Sequence, residues 1–278
     1  MMKTTGIIKP ILFIFCAIQF ISCEMATNWK ISPDKNDFIV VNGQITNEKK
    51  EHIVTIYSPA DQLNKIPKPI SWGYVSIFDG DSLFYLNNDY SNPGRYKTNA
   101  NFRAVINKTY TLMINVSGQN YFASTTMLPV SQFNPLKYKY DETKQMFLID
   151  SVTEAFNINE SAMYEIMINW EQVQGYDTIP AELKNAVLYY YTLSTLDVSE
   201  VFKPQKEQVY FPAGTTIIER KYSLTKQQAK FIRSLLLETE WRGGLFDVTQ
   251  GNITTNLSNG AVGYFGASSV LEKTITVK

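Results

Sequence analysis

A glycine recurs at every third residue in Gly260-Ala261-Val262-Gly263-Tyr264-Phe265-Gly266, close to the C-terminus. Glycine-rich loops hold phosphate when backbone N–H groups converge on it, and that chemistry needs a set spacing. A dinucleotide loop reads G-x-G-x-x-G between a strand and a helix, and a P-loop ends in Gly-Lys-Ser/Thr. This stretch has neither spacing, and its next lysine is Lys273. The residues from Ser268 to Val277 are strand-like rather than helical. The glycines are therefore expected where β-structure bends or packs closely, at a strand that closes the second half of the chain.

Other candidates are sparse. The only histidine is His52, so a Ser-His-Asp triad would have to use it. It opens the strand-like run from His52 to Ser58, where an exposed strand-end role is expected. With one His and two Cys, Cys16 and Cys23, a His- or Cys-rich zinc site is excluded by count. Asp79-Gly80-Asp81 would offer oxygen ligands to calcium, but no further acids follow in EF-hand step, and Asp-Gly reads as a hairpin turn. Glu165 and Glu171 are the carboxylates considered for hydrolysis, which requires them to be held ~5–9 Å apart. Glu165 is expected to face solvent. Tyr189-Tyr190-Tyr191 would make a sugar-stacking platform. Strand alternation sends Tyr189 and Tyr191 to one face and Tyr190 to the other, so core plus one exposed ring is the plainer expectation. No catalytic, cofactor-binding or metal-binding residue is assigned.

The elements that must position these residues are mainly strands. Phe38–Thr46 and His52–Ser58 read as a hairpin across a polar turn. Gly73–Phe78 turns at Asp79-Gly80-Asp81 into Ser82–Leu86. Tyr110–Val116 alternates, with its even positions apolar, and turns at Gly118 into Tyr121–Thr126. Short strands at this spacing predict a sandwich. Prolines 129 and 135 suggest a boundary, beyond which Met146–Ile149, Tyr164–Trp170, Ala186–Leu196, Val209–Phe211 and Thr215–Arg220 are strands. Tyr164, Ile166, Ile168 and Trp170 share one face. Thr225 with Gln228 resembles a capping box, and Phe231, Ile232, Leu235 and Leu236 follow at helical spacing. One apolar stripe predicts a helix lying on a sheet. The fold class is thus mainly β: a sandwich over 37–130, whose strand sequences resemble an immunoglobulin-like β-sandwich or a carboxypeptidase-regulatory-like domain, then a second β-rich domain over 131–278 with one amphipathic α-helix near 225–240.

The N-terminus carries Lys3 and Lys9 and then an apolar run from Ile11 to Ile21, too short for a membrane span of roughly 20 residues. Its end, Phe20-Ile21-Ser22-Cys23, resembles the lipobox of bacterial lipoproteins. The resemblance implies removal of residues 1–22 and lipid attachment at Cys23, with 23–36 as a tether. Several acyl chains make a stable anchor. Without Lys3 and Lys9, 24 basic residues face 26 acidic ones, and no basic face stands out, so nucleic acid is not an expected partner.

Phe38-Ile39-Val40-Val41-Asn42-Gly43-Gln44-Ile45-Thr46, the helix Leu224–Glu238, Gly243-Gly244-Leu245-Phe246-Asp247, Gly251-Asn252-Ile253 and the Gly260–Val270 stretch together resemble the domain-of-unknown-function 4249 family of Bacteroidota. The resemblance implies an outer-membrane lipoprotein, often encoded beside a TonB-dependent receptor, and brings no catalytic residues. The expected role is a lipid-anchored cell-envelope accessory protein taking a glycan or peptide ligand, on the cell surface rather than the periplasmic face. The alternatives are a structural or adhesive envelope protein and a carboxylate-based hydrolase. Asp81-Ser82-Leu83, Asp150-Ser151-Val152 and Asp177-Thr178-Ile179 resemble an O-glycosylation motif of such bacteria, at Ser82, Ser151 and Thr178.

Overall fold

The structure, a computed structural model, describes residues 38–60, 65–201, 208–242 and 253–278. The signal segment, Cys23, the tether and the family stretches 243–247 and 251–252 lie outside them. Alternation of apolar and polar residues sets the first strands. β1 (Val40–Thr46) buries Val41 and Ile45, and β2 (Ile53–Tyr57) buries Val54 and Ile56. β3 (Tyr74–Phe78) turns into β4 (Leu83–Tyr85), and β5 (Asn87–Asn88) and β6 (Arg95–Lys97) follow. In β7 (Thr109–Val116) the even positions are all buried, as the alternation predicts, and β8 (Gln119–Thr126) pairs with it along its length.

The next strands are β9 (Lys137–Asp141), β10 (Met146–Ser151), β11 (Ala162–Asn169) and β12 (Asn185–Thr192). After the short helix α1 (Val198–Val201) come β13 (Tyr210–Phe211), β14 (Thr216–Ser223), helix α2 (Lys226–Glu238), β15 (Val262–Ser268) and β16 (Val270–Thr276). β9 escapes sequence reading because Lys137 and Lys139 alternate with its two tyrosines at the edge of its sheet, with little apolar signal.

Two sandwiches result. In the first, a sheet ordered β15-β1-β2-β6-β5 faces one ordered β4-β3-β7-β8 across a shared core that includes Ile45, Ile77, Leu112 and Phe265. In the second, β13-β10-β9 faces β12-β11-β14-β16 around Ile166, Ile168, Trp170 and Phe211. A third cluster, Leu193, Leu224, Ala229, Leu236, Leu237 and Trp241, seats α2 on the far side of the latter sheet. The Thr225 side chain caps α2 by accepting from Gln228 N at 3.1 Å. The buried stripe is rotated from the expected one. Leu236 and Leu237 are buried while Leu235 is 39% exposed, and Phe231 stacks on Tyr264 of β15 at 5.0 Å.

The Gly260–Val270 stretch corrects the expectation that it closes the second half. β15 pairs in parallel with β1, Val41 opposite Gly263, and so completes a sheet of the first sandwich. One residue later the chain becomes β16, antiparallel to β14 in the second. Each glycine has a separate reason. Gly260 turns at a φ of +76°. Gly263 combines a φ of +102° with an approach to β1 so close that a Cβ would lie 1.9 Å from Val41 O. Gly266 leaves room for the Gln228 amide of α2, which a Cβ would meet at 2.6 Å. Close packing therefore explains the motif, and Gln228 spends its side chain there as well as its N–H on the cap.

Candidate functional site

Strand β12 lies at the edge of its sheet, and beside it opens a cavity of about 450 Å³. The tyrosine run forms its wall. Tyr189 is 42% exposed, while Tyr190 and Tyr191 are half-buried on opposite faces; one ring is exposed, as expected, but it is a member of the Tyr189–Tyr191 pair rather than Tyr190. Because an edge strand has open space beside it, rings from both its faces reach one cavity. Leu148 and Ile149 of β10 line the Tyr190 side, and Trp241, just past α2, lines the Tyr191 side. Asp197, Glu200 and Glu240 stand among the lining residues. Asp197 forms an ion pair with Arg233 of α2. Burial first, then the nearby Glu240 charge, pushes the Tyr191 hydroxyl up to about 12, so it stays protonated and able to donate. Apolar walls with a few placed polar groups are the usual form of a small-ligand site.

Behind Tyr189 lies a charged cluster. The Tyr189 hydroxyl donates to Glu165 Oε1 at 3.2 Å, and the Tyr222 hydroxyl donates to Glu165 Oε2 at 2.6 Å. Arg220 reaches Glu165 at 3.6 Å, pairs with Glu48 from the first sandwich, and stacks over the Tyr222 ring. Burial pushes the Glu48 carboxyl up, but hydrogen bonds from Lys50 and Thr46 and the Arg220 charge outweigh it and hold it below the usual range. Glu165 therefore does not face solvent as expected. Its side chain is 18% exposed, because Arg220 and two tyrosines cover the second face of the sheet. Glu171 is not brought to it. That residue lies beyond the end of β11, past Asn169, which is already ~13 Å along the strand from Glu165. There its carboxylate accepts from Asn185 at 3.4 Å.

The remaining sequence candidates fall elsewhere. His52 is buried at 3% exposure, not at an open strand end. Its Nε2 is 3.0 Å from Thr46 Oγ1, and Phe102 lies edge-on at 5.5 Å. Burial and the Lys50 charge lower its pKa to about 4, so the ring is neutral. Asp79-Gly80-Asp81 forms the expected turn. The Lys108 ammonium sits 2.7 Å from Asp79 and 2.9 Å from Asp81, where a calcium ion would otherwise be held. Among the described residues no group of three or more His, Cys, Asp or Glu could hold a metal ion. Ser82, Ser151 and Thr178 are all exposed, the first and last in turns.

Sequence reading missed a second, polar cavity of about 400 Å³ between Tyr164 and the Gln132–Pro135 segment. Lys221, 2% exposed, pairs there with Glu160 at 2.9 Å and donates to Ser131 Oγ at 2.8 Å. Beside it on β14, Glu219 is fully buried, its pKa raised by burial, with Leu136 N donating to one oxygen. The available signal was alternation: Ile217, Glu219 and Lys221 share one face of a strand.

No helix among the described residues is long and apolar enough to cross a membrane. Residues 27–274 match the model of the family described as "Domain of unknown function (DUF4249)". No curated protein matches this chain. A crystal structure of a DUF4785 family protein from Legionella pneumophila matches at 10% identity, over 69% of this chain and 53% of that one, with a TM-score of 0.20. This chain thus spans about half the length of that protein, and at such a score the likeness carries no argument.

Proposed function

The chain belongs to the DUF4249 family, and from that premise we propose that it is a lipid-anchored, non-enzymatic binding protein of the bacterial outer membrane. Cys23 would carry the lipid, in a cell envelope of the Bacteroidota type. The protein would hold a glycan or peptide at the cell surface and pass it to a TonB-dependent receptor for uptake. The observation that carries the reading is the cavity at β12, with tyrosine hydroxyls placed on apolar walls at a sheet edge. A ligand there would meet a tyrosine that is already tied to Glu165, so its binding would be felt in the Arg220 cluster that joins the two sandwiches.

Two measurements test this. Labelled palmitate should enter the native protein and be absent from Cys23→Ser. Mild-detergent extraction of native membranes should recover the protein with an outer-membrane receptor; recovery of the lipoprotein alone counts against the delivery role.

A further inference from the structure

We propose that the outer face of the β4-β3-β7-β8 sheet is a separate binding surface for a neutral polysaccharide. One face of this sheet is the core of the first sandwich. The other should be polar by the usual alternation of a half-solvated sheet. Instead it exposes large rings on neighbouring strands. Tyr74 is 79% exposed and Phe78 38% on β3, Tyr85 is 71% exposed on β4, and Phe122 is 44% exposed on β8. The register sets them close together. Tyr85 lies opposite Ser76, between Tyr74 and Phe78 along the neighbouring strand, and Phe122 lies opposite Met113, which is itself opposite Ser76.

The positions between the rings carry no charge: Ser76, Thr111, Asn115, Asn120 and Ser124. Asn115 Nδ2 donates to Asn120 Oδ1 at 2.7 Å, which leaves each amide with further hydrogen-bonding capacity. Contiguous exposed apolar surface marks an interaction site rather than an ordinary solvated face. The absence of charge at these positions selects the occupant. Nothing there would neutralise a phosphate, a carboxylate or an ammonium group, so an anionic or cationic partner would lose its hydration uncompensated. A neutral sugar chain offers what the face can match: C–H faces for the rings, and hydroxyls for the amides and alcohols. The platform is ~13 Å from Tyr74 to Phe78 and ~14 Å across its strands, room for several sugar rings.

The test is affinity electrophoresis of the full chain through gels cast with neutral β-glucan, α-glucan, mannan or xylan, with acidic polygalacturonate as the control. At least one neutral polymer should retard the protein and polygalacturonate should not. The double variant Tyr74→Ser, Tyr85→Ser should weaken that retardation at least about tenfold with an unchanged melting curve, since both side chains are exposed. The proposal is overturned if no neutral polymer retards the protein, if polygalacturonate does so equally, or if the double variant is retarded as the wild type. It is also overturned if the double variant's sole effect is to release a protein partner or a second copy of the chain.

Discussion

The seam at Ser268–Val270 and the edge at β12 both involve the sheet β12-β11-β14-β16, and they are built in opposite ways. At the seam the serine side chains are small, and the polar groups of Ser269 and the Val270 N–H are matched by distant segments, while the buried Ser268 hydroxyl is not. The Ser269 N–H donates to Ser223 Oγ at 3.0 Å, its hydroxyl donates to Leu128 O at 2.7 Å, and Val270 N donates to Asn47 Oδ1 at 2.8 Å. Ser269 is wholly buried. At β12 the side chains are large rings beside open space, and each tyrosine hydroxyl keeps hydrogen-bonding capacity. The first arrangement fixes one sandwich on the other through short hydrogen bonds where the chain crosses between them. The second leaves surface for something else to cover. Loss of a seam residue should therefore cost stability, and loss of a cavity residue should cost binding.

The sharpest way to break that contrast is Gly263→Ala. Its Cβ would overlap Val41 O in a backbone conformation that alanine rarely adopts. The variant should lose more than about 4 kcal/mol or fail to fold, as read by circular dichroism and yield. A full-strength melting transition would remove the close pairing of β15 with β1, which leads into the seam, from the account.

Next in size is the acid response of the first sandwich. His52 has a folded pKa of about 4 against an ordinary 6.5. The unfolded chain therefore binds more protons between those values. The stability this neutral ring contributes is complete above pH 6.5 and is lost as pH falls towards 4, roughly 3 kcal/mol at most. Urea unfolding at pH 7 and pH 4 should show a smaller fall for His52→Gln than for wild type.

Ser269→Ala should cost about 1 kcal/mol, because it removes a buried hydrogen bond while Leu128 O keeps the Ser223 hydroxyl as a donor. Glu219→Gln should act in the opposite direction. Burial raises the Glu219 pKa above 4.5, so its folded carboxyl is favoured protonated, and its stability contribution falls as pH rises past that value. The glutamine variant should be more stable than wild type at pH 7, on the order of 1 kcal/mol, with the gap closing below pH 4.5. Tyr189→Phe should be the smallest in stability, within about 0.5 kcal/mol, since it removes one exposed hydrogen bond. Its effect should appear in ligand affinity at the cavity instead.

Much of the local structure was legible in the residues. Tyr110, Leu112, Ile114 and Val116 alternate, and all are buried. Thr225 caps the helix that its spacing with Gln228 announced. The Gly260–Gly266 repeat, read against its missing lysine and the strand that follows, was structural rather than a phosphate loop. These are short-range properties, set by backbone period, turn chemistry and sterics within a few residues.

The partners of those elements were decided only by the tertiary structure. Alternation says that a strand has two faces, but it does not say what covers each. Glu165 stood on the polar face of β11 by sequence, yet Arg220, Tyr189 and Tyr222 cover it, and Glu48, from a turn far upstream, pairs with the same Arg220. His52 shares a strand face with Val54 and Ile56, both buried, but its place at the strand start read as an open end, and Phe102 and Thr98 supply its cover from elsewhere in the chain. β15 joins β1 in parallel across more than two hundred residues, and nothing in either strand encodes which edge it will find. The sequence by itself determined the β-rich class, the strand faces, the capped helix and the family. The fold decided the seam, the buried charges and the tyrosine cavity, because burial depends on contacts that no local window contains.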